Sequence, residues 1–206
     1  LELNPAEDFD SQLVVKLNIA AVLRKELRRR SWQRETVALG TNTDPYQRAE
    51  GRYRLMPGVI RALAESGTPM SILTKGTLLR RDLPLLRAAS RSVDVHVGVS
   101  LAMLDDELRK QLDPGAPSPR ARLDLIGALA DAGLAPHVMI APVVPYLTDD
   151  EAQLDALLEA LAAAGAARIT ALPLHLRGNT REVFLAWLAE HHPALLRRYR
   201  MLYGRS

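Results

Sequence analysis

The sequence predicts an α/β fold built as a partial (β/α) barrel. Short apolar runs rich in β-branched residues recur along the chain, and segments with an apolar spacing of about 3.6 residues separate them. A third observation sets aside the main competitor. A doubly wound sheet announces itself by a glycine-rich turn after its first strand, and Gly40–Gln47 (GTNTDPYQ) has too few glycines for that turn or for a phosphate-binding loop.

The elements follow in order. A helix is expected over Ala20–Arg30, then a strand over Val37–Gly40 and a helix over Tyr53–Ser66. Ser71–Lys75 and Val93–Ser100 read as buried strands on either side of a helix at Asp82–Ala89. Helix Arg120–Ala132, strand His137–Val144, helix Asp149–Ala164 and strand Ile169–Leu176 continue the alternation, and two further helices flank His191-His192-Pro193. Thr148 and Asp149 are placed to cap the helix that follows them, while Gly67, Gly133 and Gly165 supply the left-handed turns that stop three others. Strands alternating with helices pair in parallel through right-handed crossovers.

Composition bounds the function. The 206 residues, 48% hydrophobic and 25% charged, suffice for one substantial core and are expected to form a single domain over 1–206. No apolar run reaches the roughly 18 residues of a membrane span and the start is not signal-like, so a cytoplasmic location without membrane partners is expected. The absence of cysteine excludes disulfides, thiolate nucleophiles and thiolate-bound metals within these residues. The net charge of +3 is concentrated around Arg24, Lys25, Arg28, Arg29 and Arg30, which read as a solvated helix face, with a nucleic-acid contact as the alternative.

In α/β barrels the working groups gather at the C-terminal ends of strands. Here those ends carry Thr41, Asn42, Thr43, Asp44 and Tyr46 after the first strand, Lys75 on the second, Ser100 on the third, and His175 with Arg177 on the last. A lysine closing an apolar strand needs an anionic partner, either an internal carboxylate or a ligand's carboxylate or phosphate, beside which Ser100 would add a hydroxyl. Asn42, Thr43 and Asp44 before Pro45 suit either a side-chain-capped turn or the recognition of a ligand's ammonium group, with Tyr46 then lying against an adenine or sugar. His175 and Arg177 are candidates for the substrate side. His137 and His96 read as structural, and Trp32 and Trp187 as packing anchors. No catalytic triad, His-x-x-x-His pair or carboxylate pair emerges, so catalytic residues stay unassigned and no metal site is expected.

The blocks FDSQLVVKLN, VALGTNTDPYQRAEGRYRLMPGVIRAL, SILTKGTLLRRDLPLL, VHVGVSL, APVVP and LHLRGNTREVFLAWL, in this order, resemble the radical S-adenosylmethionine superfamily, and within it the branch similar to spore photoproduct lyase. The resemblance implies a TIM-like partial barrel whose first strand and cluster loop are absent from this chain or displaced, as in a chain truncated at its N-terminus. It also implies S-adenosylmethionine and a [4Fe–4S] cluster as cofactors, a 5′-deoxyadenosyl radical as the reactive species, and an electron donor such as flavodoxin or ferredoxin. By position, Thr41, Asn42, Thr43 and Asp44 would face the methionine amino group, and Lys75 and Ser100 its carboxylate. The chain alone, without cysteine, is not expected to be active. A non-enzymatic barrel binding S-adenosylmethionine or nucleic acid, and a phosphate-binding barrel enzyme, are the competing expectations.

Overall fold

A computed structural model describes residues 13–204. The strands are β1 (Val37–Leu39), β2 (Met70–Thr74), β3 (Val95–Ser100), β4 (His137–Val143) and β5 (Arg168–Pro173). They run in chain order, β1-β2-β3-β4-β5, in a parallel sheet that does not close, as an incomplete barrel requires. The chain divides into two compact units, Leu1–His96 and Val97–Ser206.

In the first unit, α1 (Ile19–Leu27), α2 (Arg48–Tyr53), α3 (Met56–Glu65) and α4 (Leu83–Ala89) accompany β1 and β2. Strand β1 pairs with β2 in the register Val37 to Met70, Ala38 to Ser71 and Leu39 to Ile72. Met70 and Ile72 on β2 and Ile60 and Leu63 of α3 are all fully buried, since α3 repeats its apolar positions once per turn. Gly67, at φ +69°, follows the end of α3 in the left-handed conformation that few other residues adopt. Trp32 is the expected anchor: its indole N–H donates to Thr68 Oγ1 at 2.9 Å. In the basic stretch, Arg24 pairs with Glu65 at 3.5 Å and Arg29, just beyond α1, with Glu26 at 3.0 Å. His96, read as structural, is exposed on β3.

The second unit contains α5 (Asp106–Leu112), α6 (Pro119–Asp131), α7 (Glu151–Ala163), α8 (Asn179–His191) and α9 (Leu196–Tyr203). Strand β4 pairs with β5 from His137 opposite Arg168, with an irregularity between Ile140 and Val143. Helix α5 was not legible as an apolar repeat. It is held by Asp105, whose carboxylate accepts from the Glu107 and Leu108 amides, and by Arg109 to Asp106 at 2.9 Å. The expected cap of α7 also shifts. Asp150, not Thr148 or Asp149, accepts from Gln153 N, because Thr148 Oγ1 takes the Val144 amide and Asp149 Oδ1 takes the Tyr146 amide. Tyr199, fully buried among Val144, Leu176 and Leu188, centres a core that α8 and α9 complete with Phe184, Trp187 and Tyr203.

Candidate functional site

In the first unit, the loop after β1 is fastened to the end of β2. Asp44 Oδ1 accepts from the Tyr46 amide at 2.8 Å and from Thr74 Oγ1 at 2.5 Å, while Oδ2 accepts from the Lys75 amide at 2.7 Å. The Gly76 amide in turn donates to Thr74 Oγ1 at 2.7 Å. Strand β2 therefore stops at Thr74, one residue before the expected end, because the Lys75 N–H leaves the ladder for a carboxylate. Since a carboxylate oxygen accepts about two hydrogen bonds, Oδ1 is saturated and Oδ2 retains room for one more donor.

Two glycines permit this approach. A Cβ on Gly40, which sits at φ +100°, would stand 2.0 Å from Leu73 O, and a Cβ on Gly76 would stand 2.2 Å from Tyr46 O. Both contacts are with backbone, so no side chain can yield, and any other residue would force the loop and strand apart.

Beneath the loop lies a buried polar network that the sequence did not reveal. Arg81 donates in a fork to Asp82, Nε to Oδ1 and Nη2 to Oδ2, each at 2.8 Å, and its Nη2 also reaches Glu50 Oε1 at 2.6 Å. Glu50 accepts from the amides of Leu55 at 2.8 Å and Met56 at 3.1 Å, satisfying orphan donors at the start of α3. The Tyr46 hydroxyl donates to Asp82 Oδ2 at 3.1 Å. Burial, then the neighbouring Asp82 charge, pushes the Tyr46 hydroxyl well above its usual range. The hydrogen bond to Asp82 is the largest influence holding Arg81 protonated.

Tyr46 is therefore corrected. At 1% exposure its ring has no face to offer an adenine or sugar, and it serves as the post that joins the loop to Asp82. Thr41, Asn42 and Thr43 are exposed, and Asp44 is half-buried, as is Lys75, whose backbone amide donates to the Asp44 carboxylate. A cavity of about 340 Å³ borders this loop, walled by Ile19, Val37, Leu39, Met56, Thr43 and Asp44. Its walls are mostly apolar, which suits packing better than a charged ligand.

In the second unit, Ser100 ends β3 and is buried, and its carbonyl accepts from Arg122 Nη1 at 2.9 Å. Arg122 on α6 is a buried cation that the helix pattern alone did not single out, and burial lowers its pKa. Strand β5 ends at Pro173, so His175 and Arg177 lie beyond it, both exposed. His137 is structural: its Nε2 is 2.9 Å from Thr170 Oγ1, and burial followed by the Arg168 charge lowers its pKa. Among the described residues no group of three His, Cys, Asp or Glu side chains is placed to hold a metal, and no helix is long and apolar enough to cross a membrane.

The description "Radical SAM superfamily" matches residues 13–158. An uncharacterized protein of Mycobacterium tuberculosis is 64% identical over 206 residues, all of this chain and 61% of that protein. A more distant relative, the uncharacterized protein ORF301 of Acidianus two-tailed virus, is 27% identical over 84% of this chain and 57% of its own length. The chain thus spans less than two thirds of the length of these relatives. Among solved structures, a mutant spore photoproduct lyase with bound AdoMet and dinucleoside spore photoproduct superposes with a TM-score of 0.62 at 15% identity, over 88% of this chain and 52% of that one. Streptococcus suis SuiB bound to S-adenosylmethionine gives 0.52 at 16% identity, over 76% of this chain and 37% of that one. At these identities the likeness is one of fold, and with the sequence match over most of the chain it shows that the protein belongs to the radical S-adenosylmethionine superfamily.

Proposed function

We propose that the full-length protein is a radical S-adenosylmethionine enzyme and that the loop after β1, with the end of β2, holds the methionine end of the cofactor. The observation that carries this reading is the Asp44 clamp, which ties Thr41–Tyr46 to Thr74 and Lys75 and so presents a lysine and a polar loop together at the C-terminal ends of two strands. The Lys75 ammonium suits the cofactor's carboxylate. The loop's exposed hydroxyl and amide groups, with the remaining lone pair of Asp44 Oδ2, suit its ammonium. Ser100 is assigned to the carboxylate, and His175 and Arg177 to the substrate side, on position alone.

The residues present do not fit an iron–sulfur cluster, since the chain has no cysteine. Its ligands are proposed to lie outside these residues. A cluster held outside these residues would, with S-adenosylmethionine and an electron donor of the flavodoxin or ferredoxin class, supply the radical chemistry. This chain's part is to bind and orient the cofactor and shield it from water.

The test is anaerobic reconstitution of the full-length protein with iron and sulfide, followed by electron paramagnetic resonance of the reduced sample. A reduced [4Fe–4S] signal that shifts on adding S-adenosylmethionine is expected. A folded full-length protein that takes up no cluster overturns the reading.

A further inference from the structure

Two arginines of the second unit are buried on the helices that follow β3, and their donors are used unequally. Arg109 on α5 gives Nε to Asp106 Oδ1 at 3.0 Å and Nη1 to Ala116 O at 2.9 Å. Arg122 on α6, 3% exposed, gives Nη1 to the carbonyl of Ser100 at 2.9 Å, while its Nε is shut away from water with no partner. A buried guanidinium with a donor left unmade is a costly way to pack a helix, and an apolar side chain of similar volume serves packing as well. What only a donor can do here is hold that carbonyl.

The carbonyl belongs to the peptide between Ser100 and Leu101, and the N–H of the same peptide donates to Met139 O at 3.0 Å. The peptide is thus held at both poles, by α6 at its oxygen and by β4 at its nitrogen. A planar peptide so held fixes ψ of Ser100, and a fixed backbone leaves the side chain few rotamers. Arg122 is itself placed by the start of α6, where Ser118 Oγ accepts from the Ala121 amide at 3.2 Å and Ser118 O from the Arg122 amide at 3.1 Å. The group aimed by this arrangement is the Ser100 hydroxyl, which has no hydrogen-bond partner among the described residues.

We infer that Arg122 is a positioning residue, which through the Ser100 carbonyl aims the Ser100 hydroxyl at the carboxylate of S-adenosylmethionine. The inference rests on the role proposed above for Ser100 and adds the residue that sets the direction of its hydroxyl. Arg122 acts through Ser100 and does not touch the ligand, because its guanidinium is enclosed.

The experiment compares S-adenosylmethionine with its decarboxylated form by calorimetric titration of the full-length protein, reconstituted anaerobically. Ser100→Ala should weaken S-adenosylmethionine binding about tenfold and Arg122→Met about fivefold, while both bind the decarboxylated form within about twofold of the wild type. The double variant should bind S-adenosylmethionine about as weakly as Ser100→Ala, since Arg122 acts through that hydroxyl. Arg122→Lys, which can still donate to the carbonyl, should recover most of the loss. Should Arg122→Met not fold, Arg122→Gln, too short to reach the carbonyl, carries the same comparison. An Arg122 variant that binds S-adenosylmethionine as the wild type does, weakens both ligands equally, or multiplies the loss of Ser100→Ala overturns the inference. So does Ser100→Ala with no loss. A wild type that binds S-adenosylmethionine while the Arg122 variants fail in one of these ways removes the positioning role alone, and a wild type that binds neither ligand removes the reading of the site with it.

Discussion

The loop after β1 and the loop after β4 both follow the C-terminal end of a strand, yet they spend their polar groups differently. In the first, Asp44, Thr74 and the amides of Tyr46, Lys75 and Gly76 bind one another, and Tyr46 is buried against Asp82. In the second, Thr148 and Asp149 bind the backbone so that Tyr146 stays in solvent. The same residue type is a post in one loop and a surface in the other. Position at a strand end is therefore not enough to assign a ligand contact; what decides it is whether the side chain's polar atom and apolar face have already been taken.

The largest effect expected from breaking this contrast lies under the first loop. Glu50→Ala removes a buried carboxylate, leaves Arg81 with Asp82 as its remaining partner and frees the Leu55 and Met56 amides, and should cost about 3 kcal/mol in denaturant unfolding. A loss below about 1 kcal/mol would show that the network is not what holds the loop.

Asp44→Asn and Lys75→Met separate support from contact. The amide of Asn turns a donor toward either the Thr74 hydroxyl or the Lys75 amide, so stability should fall by roughly 1–3 kcal/mol and S-adenosylmethionine affinity should fall with it. Lys75→Met keeps the backbone bond to Asp44 and should lower affinity by about 1.5–3 kcal/mol, as calorimetry would read it. Unchanged affinity in Lys75→Met would remove its carboxylate role.

The smallest expected effect concerns pH. The folded-state pKa of His137 lies below its unfolded value, so the unfolded chain binds more protons in that interval. Its contribution to stability is complete above the unfolded value, near pH 6.5, and is lost as pH falls through the lower folded value. His137→Asn should flatten the unfolding midpoint over that window, and an unchanged pH slope would show that another group sets it.

Much of the fold could be read from the residues. β-branched runs and helical spacing located all five strands to within a few residues, and Gly133 and Gly165 take the left-handed conformation expected of them, at φ +74° and +86°. Boundaries moved where a side chain captured the backbone, as Asp44 does at Lys75. The candidate site was legible in one part, the run of polar residues at strand ends. It was illegible in another, because Glu50 and Arg81 sit in segments whose charge pattern looks like an ordinary solvated surface, and nothing local shows that they face each other across 31 positions.

By itself the sequence determined the alternation of parallel strands and helices, the absence of thiolate ligands from this chain and the polar character of the loop after β1, because each depends on residue type and near-neighbour spacing. Only the tertiary structure decided that Tyr46 is buried and Tyr146 exposed. That outcome rests on hydrogen bonds between residues distant in sequence, Tyr46 with Asp82 and Tyr199 with Pro145, and local pattern does not carry such pairings.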